Sequence, residues 1–194
     1  MQHRILGIDP GTRAVGWAVL EAHADATPVR LGSGTMHLGT SKDPIPERLY
    51  RLRCGLQELL KIHKPRQLTL EAAFFGKNAR SALRIGEARG VVMVTCAEQE
   101  MEIVELPPAV IKRRIAGAGA ATKEQIARLV ALRLGLEDGH AFETFDESDA
   151  LAVALCGLDM QMRVASVPGM ELTASGRSKA SARKNTLPPG ASLQ

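Results

Sequence analysis

The sequence predicts an α/β fold, a mixed five-stranded sheet with helices on both faces. Three observations point to it. Five short apolar runs have strand character, and helical apolar spacing fills the segments between the later ones. The first three runs are joined by short connections, which favour antiparallel pairing. Apolar residues make up 45% of the 194 residues, enough for one globular domain with a real core.

The elements follow in order. Arg4–Asp9 and Ala14–Leu20 read as strands joined by a tight turn at Pro10–Arg13, and Val29–His37 as a third strand. Pro44–His63 carries Leu49, Leu52, Leu56, Leu59 and Leu60 at helical spacing, with a basic last turn before Pro65. Gln67–Glu71 is a short apolar strand that ends in a carboxylate, as the first does. Asn78 suits the cap of a helix running to about Gln99. Glu102–Leu106 is the fifth strand, and Pro107-Pro108 opens another helix. Thr122 and Gln125 have the spacing of a capping box, and Gly135 closes the helix that follows. Asp146–Met160 is the last helix, with Asp146 or Ser148 as its cap. This order is that of the ribonuclease H-like fold, which by itself fixes no function.

Residues 1–163 are expected to form the domain. Beyond Arg163 the periodicity ends and Ser, Pro, Gly and basic residues dominate, so 164–194 reads as a disordered basic tail. It serves either as an electrostatic tether to nucleic acid or as a solubilising segment. The tail from Ser166 holds a balance of +3 out of a net +4, leaving the rest of the chain near neutral. Bulk charge therefore carries no nucleic-acid assignment, and local clusters must. No apolar run reaches membrane-spanning length, and no cleavage region follows the early Arg4. Cys54, Cys96 and Cys156 are odd in number, widely spaced and set in apolar context, which predicts buried thiols in a reducing cytoplasm. The five histidines show no metal-ligand spacing, which argues against zinc.

Four carboxylates raise the question of function. Asp9 and Glu71 each end a strand, and the two strands can be neighbours ending at one edge. Asp146 and Asp149 are three apart, so a helix puts both on one face. Taken singly, Asp9 is either a turn former or a ligand, and Asp146 either a cap or a ligand. Glu71 and Asp149 sit among apolar neighbours, where a free charge is costly unless paired or metal-bound. Converging carboxylates repel one another and call for a cation. Oxygen donors without His or Cys favour Mg²⁺, with Mn²⁺ able to substitute. Two such ions, roughly 3.5–4 Å apart, suit hydrolysis of a nucleic-acid backbone.

The stretches ILGIDPGTRAVGWAVL, LTLEAAFFGKNARSALRIGEARGVV, Pro107–Gln125 and DESDALAVAL resemble, in order and spacing, the RuvC family of bacterial Holliday junction endonucleases. They cover most of residues 4–160. The resemblance implies a homodimer that binds a four-way DNA junction and cuts two strands of like polarity at symmetric positions with Mg²⁺, working with the RuvA–RuvB branch-migration complex. It implies acidic site residues at Asp9, Glu71, Asp146 and Asp149, active-site lysines at Lys112 and Lys123, and a DNA-stacking ring at Phe74.

The residues themselves leave alternatives beside these roles. Lys112 and Lys123 flank a Gly-rich break and either bring positive charge to a phosphate or are solvated surface lysines. Of Phe74-Phe75, one ring is expected in the core and Phe74 outside it. Lys77, Arg80 and Arg84 recur at helical spacing beside the site, a phosphate-contacting stripe or a solvated face, and Asn78 lies among them. Arg113 and Arg114 are expected to extend that same surface. Ala79, Ala82, Gly86 and Gly90 admit a close helix, from the core or from a second subunit. Glu143 and Glu147 either compete for metal or face water, and Trp17 is expected to pack.

Two other readings compete. Actin-like and sugar-kinase-like enzymes also open with an Asp-Gly turn between strands, but they need a second Gly-rich strand–turn–strand, and none follows here. A non-catalytic junction-binding protein would use the carboxylates only as caps.

Overall fold

The computed structural model describes residues 3–22, 27–72, 79–117, 119, 121–137, 140–165 and 177–178. Phe74, Phe75, Lys77, Asn78 and nearly all of the tail lie outside the described residues.

The sheet is built around two strands buried on both faces. β1 (His3–Asp9) pairs antiparallel with β2 (Ala14–Ala22), and β2 with β3 (Val29–His37). β4 (Gln67–Glu71) lies on the other side of β1, parallel to it, and β5 (Glu102–Leu106) runs parallel to β4. The order is β3-β2-β1-β4-β5, the mixed five-stranded sheet expected. One feature departs from the expectation for the tail. Arg177–Ser178, β6, adds a two-residue antiparallel pairing to the edge of β5 that faces away from β4.

Alternation along the strands sorts side chains between two cores. Leu6 and Ile8 of β1, with Leu68 and Leu70 of β4, face α1 (Ile45–His63) and α2 (Ala79–Ala97). Ile5 and the neighbouring Ala18 and Leu20 of β2 face α3 (Pro108–Ala116), α4 (Lys123–Arg133) and α5 (Phe145–Ala165). Helices thus cover both faces, and β1 and β4 read as unbroken apolar runs for that reason.

α5 lies unusually close to the sheet. A Cβ on Gly16 would stand 1.9 Å from the carbonyl oxygen of Asp146, and one on Gly7 2.4 Å from that of Ala150. On the helix side, Gly157 makes the same concession to Thr69, whose Oγ1 would stand 2.0 Å from a Cβ there. Missing side chains at these three points let the helix backbone rest on β1, β2 and β4.

The start of α5 corrects the expected cap. The helix begins at Phe145, and its cap is Thr144, whose Oγ1 accepts from the Glu147 N–H at 3.1 Å. Thr144 is itself fixed by a 2.6 Å hydroxyl–hydroxyl contact to Thr35 on β3. Asp146 therefore sits inside the first turn, and Ser148 spends its hydroxyl on the Phe145 carbonyl. The helix also runs past Arg163 to Ala165. The Thr122–Gln125 capping box forms as expected, with both reciprocal bonds present.

Cys96 and Cys156 are buried, and burial pushes both thiols up to about 12. Cys54 is only half-buried, against the expectation. Trp17 packs against the α1 side of the sheet, as expected, and its ring lies 6.0 Å from that of His63.

Candidate active site

The register of β1 and β4 brings the first two carboxylates together. Ile8 pairs with Leu70, so Asp9 and Glu71 end adjacent parallel strands at one edge. Ile5, Gly7 and Asp9 alternate onto the face that carries α5, as do Thr69 and Glu71. α5, seated on Gly7 and Gly16, then delivers Asp146 and Asp149 from its first turns.

A cavity of about 260 Å³ opens at this edge, and its wall includes Asp9, Glu71, Asp149, Lys112 and Lys123. The convergence of Asp9, Glu71 and Asp149 expected from the sequence is present, with both lysines beside them. Asp146 stands outside the cavity wall, although its charge reaches both Asp9 and Lys123.

The electrostatics show how crowded the carboxylates are. Burial, then the charges of Glu71, Asp149 and Asp146, push the Asp9 carboxyl from 3.8 up to about 7. Burial and Asp149 raise Glu71 as well, against the opposing pull of Lys123, Lys112 and Arg89. Lys123 donates to Asp149 Oδ2 at 2.7 Å, and this bond is the main reason its own pKa rises. A carboxyl held near neutrality by burial and like charge is one whose ionised form a bound cation would favour.

Among the described residues no three His, Cys, Asp or Glu side chains are already drawn together as a coordination set. Mutual repulsion gives the carboxylates reason to stay apart, and Lys123 supplies the positive charge at Asp149. The donor chemistry itself fits a hard divalent ion, since the acidic residues at the cavity offer oxygen and, among the described residues, no His or Cys lines it.

Lys112 is exposed on α3 and Lys123 opens α4, so the two approach from either side of the break at Gly117. Arg113 and Arg114 do not extend the α2 surface. α3 lies on the opposite face of the sheet from α2, and Arg114 is half-buried with its charge felt at Cys156. Arg80 is exposed at the start of α2, while Arg84 pairs with Glu87 at 2.8 Å. Phe74, Lys77 and Asn78 lie outside the described residues.

One acidic residue settles differently from either alternative read in the sequence. Glu147 neither competes for metal nor faces water. It is buried, accepts from Ser33 Oγ at 2.6 Å and from the Glu143 N–H at 3.1 Å, and so anchors the start of α5 to β3. Glu143 is exposed.

One positioning residue is not evident from the sequence. Arg89 of α2 is buried and donates both to the Glu71 backbone carbonyl and, at 2.6 Å, to Glu105 Oε2. It ties the ends of β4 and β5 together and fixes where Glu71 leaves the sheet. The signal is present in the sequence as an Arg on the apolar face of a helix, but its partners lie on strands that the helix meets only in the fold.

A model of the family described as crossover junction endodeoxyribonuclease RuvC matches residues 5–157. A protein of that name from Dehalococcoides mccartyi is 41% identical over 153 residues, 79% of this chain and 90% of its own length. Another, from Alkalilimnicola ehrlichii, is 40% identical over 164 residues, 83% of this chain and 96% of its own. The solved structure described as T. thermophilus RuvC in complex with Holliday junction substrate aligns with a TM-score of 0.75 at 27% identity, covering 83% of this chain and 96% of that one. The yeast mitochondrial Holliday junction resolvase Ydc2, at 12% identity and a TM-score of 0.61, shares the fold.

Proposed function

Because the chain belongs to the RuvC family of crossover junction endodeoxyribonucleases, we propose that it resolves four-way DNA junctions by hydrolysing phosphodiester bonds in two strands of like polarity at symmetric positions. The observation that carries this reading is the meeting of Asp9, Glu71 and Asp149 with Lys112 and Lys123 in one cavity.

Asp9, Glu71, Asp146 and Asp149 are the residues that would hold Mg²⁺, or Mn²⁺ in its place, two ions to a site. When bound, such ions supply an activated water and stabilise the leaving oxygen. The chain's own groups prepare the place. Asp9 and Glu71 are fixed by β-sheet register, and Arg89 holds the end of β4. Lys112 and Lys123 put positive charge where a scissile phosphate carries its developing negative charge. Lys123 is held beside the site by its bond to Asp149, and would be free to meet a phosphate if that carboxylate served a cation instead.

A homodimer fits the outer face of α2. Ala79, Leu83, Gly86 and Gly90 are exposed there, Leu83 by 64%, and a Cβ on either glycine would meet nothing within 4 Å. A second copy of the helix can approach closely, and an isologous pair places one site on each of two strands of a two-fold junction. The described residues include no helix long and apolar enough to cross a membrane. A cytoplasmic enzyme working with the RuvA–RuvB complex completes the proposal.

The test is a gel assay on a labelled synthetic four-way junction and a linear duplex of the same sequence, each with Mg²⁺ and with EDTA. Paired symmetric nicks in the junction alone, only with Mg²⁺, and two chains per bound junction are expected. Equal cutting of the duplex would keep the chemistry and refute the junction reading.

The lysines carry a separate prediction. Alanine at Lys112 or Lys123 should slow the cut by about 10²-fold, as loss of one positioned electrostatic group does, and weaken junction affinity far less. Single-turnover rates and binding isotherms measured together check it. Matching losses in both would reduce the lysines to phosphate anchors.

A further inference from the structure

Resting on the reading above, we propose that Arg13, Arg48, Arg80 and Arg84 form a second phosphate subsite that grips the DNA backbone beside the phosphate that is cut. They line a separate cavity of about 230 Å³ together with Thr12 and Ser81, and no Asp or Glu lines it among the described residues.

Arg48 is the unusual member. It sits in the first turn of α1, only 8% exposed, and its Nη1 donates to the Thr12 carbonyl at 2.6 Å. Its Nε has no hydrogen-bond partner, and among the described residues no carboxylate pairs with it. A buried guanidinium without a counter-charge is costly, and an anion in the cavity removes that cost.

Two of the acidic residues nearby are engaged away from the cavity, and the third pairs with a subsite arginine. Asp43 is held by Thr40 and Arg51, Glu47 by Arg51, and Glu87 by Arg84. Arg13 is exposed on the turn between β1 and β2, with no ion pair among the described residues. Arg80 and Arg84 lie four apart on one face of α2. Guanidinium forks match phosphate oxygens in pairs, which is the chemistry this arrangement suits.

Position identifies the phosphate. Thr12 and Arg13 continue the turn that begins at Asp9, and the three residue-to-residue steps from Asp9 to Thr12 span at most about 11 Å. DNA rises about 3.4 Å per nucleotide on each strand, so the bound phosphate is within a few nucleotides of the cleaved bond. The subsite would hold the strand on the α1–α2 side while Lys112 and Lys123 meet it from the α3–α4 side.

The experiment compares wild type with an Arg13→Gln, Arg80→Gln double variant and with Arg48→Lys. Junction affinity is measured in EDTA over a range of KCl. Single phosphates near the cut site are also neutralised in turn as methylphosphonates. The slope of log affinity against log salt should become shallower by about 0.9 for each phosphate that the variant no longer neutralises. One methylphosphonate position should weaken wild type and leave the double variant unaffected. An unchanged slope in the double variant, with wild type still cutting junctions, would overturn the subsite and leave the functional reading standing. A wild type that neither binds nor cuts junctions would overturn both. Thermal protection by inorganic phosphate, lost in the double variant and with no methylphosphonate-sensitive position, would mark a free-anion site and overturn the DNA assignment.

Discussion

Asp9→Asn should abolish cleavage of a four-way junction, by about 10³-fold or more, and leave junction affinity within a few-fold of wild type. Glu71→Gln should behave alike, because the two carboxylates end hydrogen-bonded parallel strands and serve one ion-binding edge. Asp9→Asn also has a signature that needs no DNA. The Asp9 carboxyl is pushed from 3.8 up to about 7 in the fold. A carboxyl raised in this way gives stability that is present below its unfolded value and is lost as pH rises through the folded value. Between about pH 4 and 7, wild type without metal therefore carries a growing electrostatic strain, which stays at its full size above that range. Asparagine removes it. In EDTA at pH 8 the variant should be more stable than wild type by up to about 4 kcal/mol, and the gap should close toward pH 4. Adding Mg²⁺ should stabilise wild type at pH 8 and do little for the variant. Melting curves at the two pH values, with and without Mg²⁺, read all of this. A variant that melts below wild type at pH 8 in EDTA, or that still cuts, would sink the assignment of Asp9.

The second large effect is mechanical. Gly7→Ala puts a methyl group 2.4 Å from the Ala150 carbonyl and 2.6 Å from the Ala154 nitrogen, both backbone atoms of the helix that fills the core. Neither can swing aside as a side chain would. Overpacking of this kind costs about 1–3 kcal/mol and at times more, and a backbone collision belongs at the upper end. For a domain of this size that is a fall in melting temperature of roughly 10 °C. Gly16→Ala meets Asp146 itself, at 1.9 Å from its carbonyl oxygen. It should lift the first turn of α5, move Asp146 and Asp149 away from Asp9, and cost cleavage more than it costs stability. A Gly16→Ala protein that melts and cuts like wild type would show that the seat of α5 does not set the site.

Much of this arrangement was legible in the sequence. Two strands ending in Asp9 and Glu71, and a helix with Asp146 and Asp149 three apart, contain the site in outline, because strand alternation and helical spacing are local rules. What stayed hidden depends on partners distant in the chain. Asp146 and Ser148 are both good caps by type, yet Thr144 takes the role because Thr35, on the edge strand, holds its hydroxyl. Glu147 reads as one more surface acid until Ser33 is seen to donate to it. Arg113 and Arg114 share a helix with Lys112, and only the packing of α3 reveals that the helix turns them away from the α2 stripe. Arg48 looks like any helical arginine, since nothing local says that its first turn closes over the Pro10–Arg13 turn.

The three glycine seats of α5 also order events during synthesis. Asp9 and Glu71 leave the ribosome early, and Asp146 and Asp149 arrive only with α5, after β1 to β5 that receive them. A chain that stops short of α5 lacks two of the four acidic residues proposed for the site. The proposed site therefore comes into being only as α5 settles onto the sheet through its close glycine contacts.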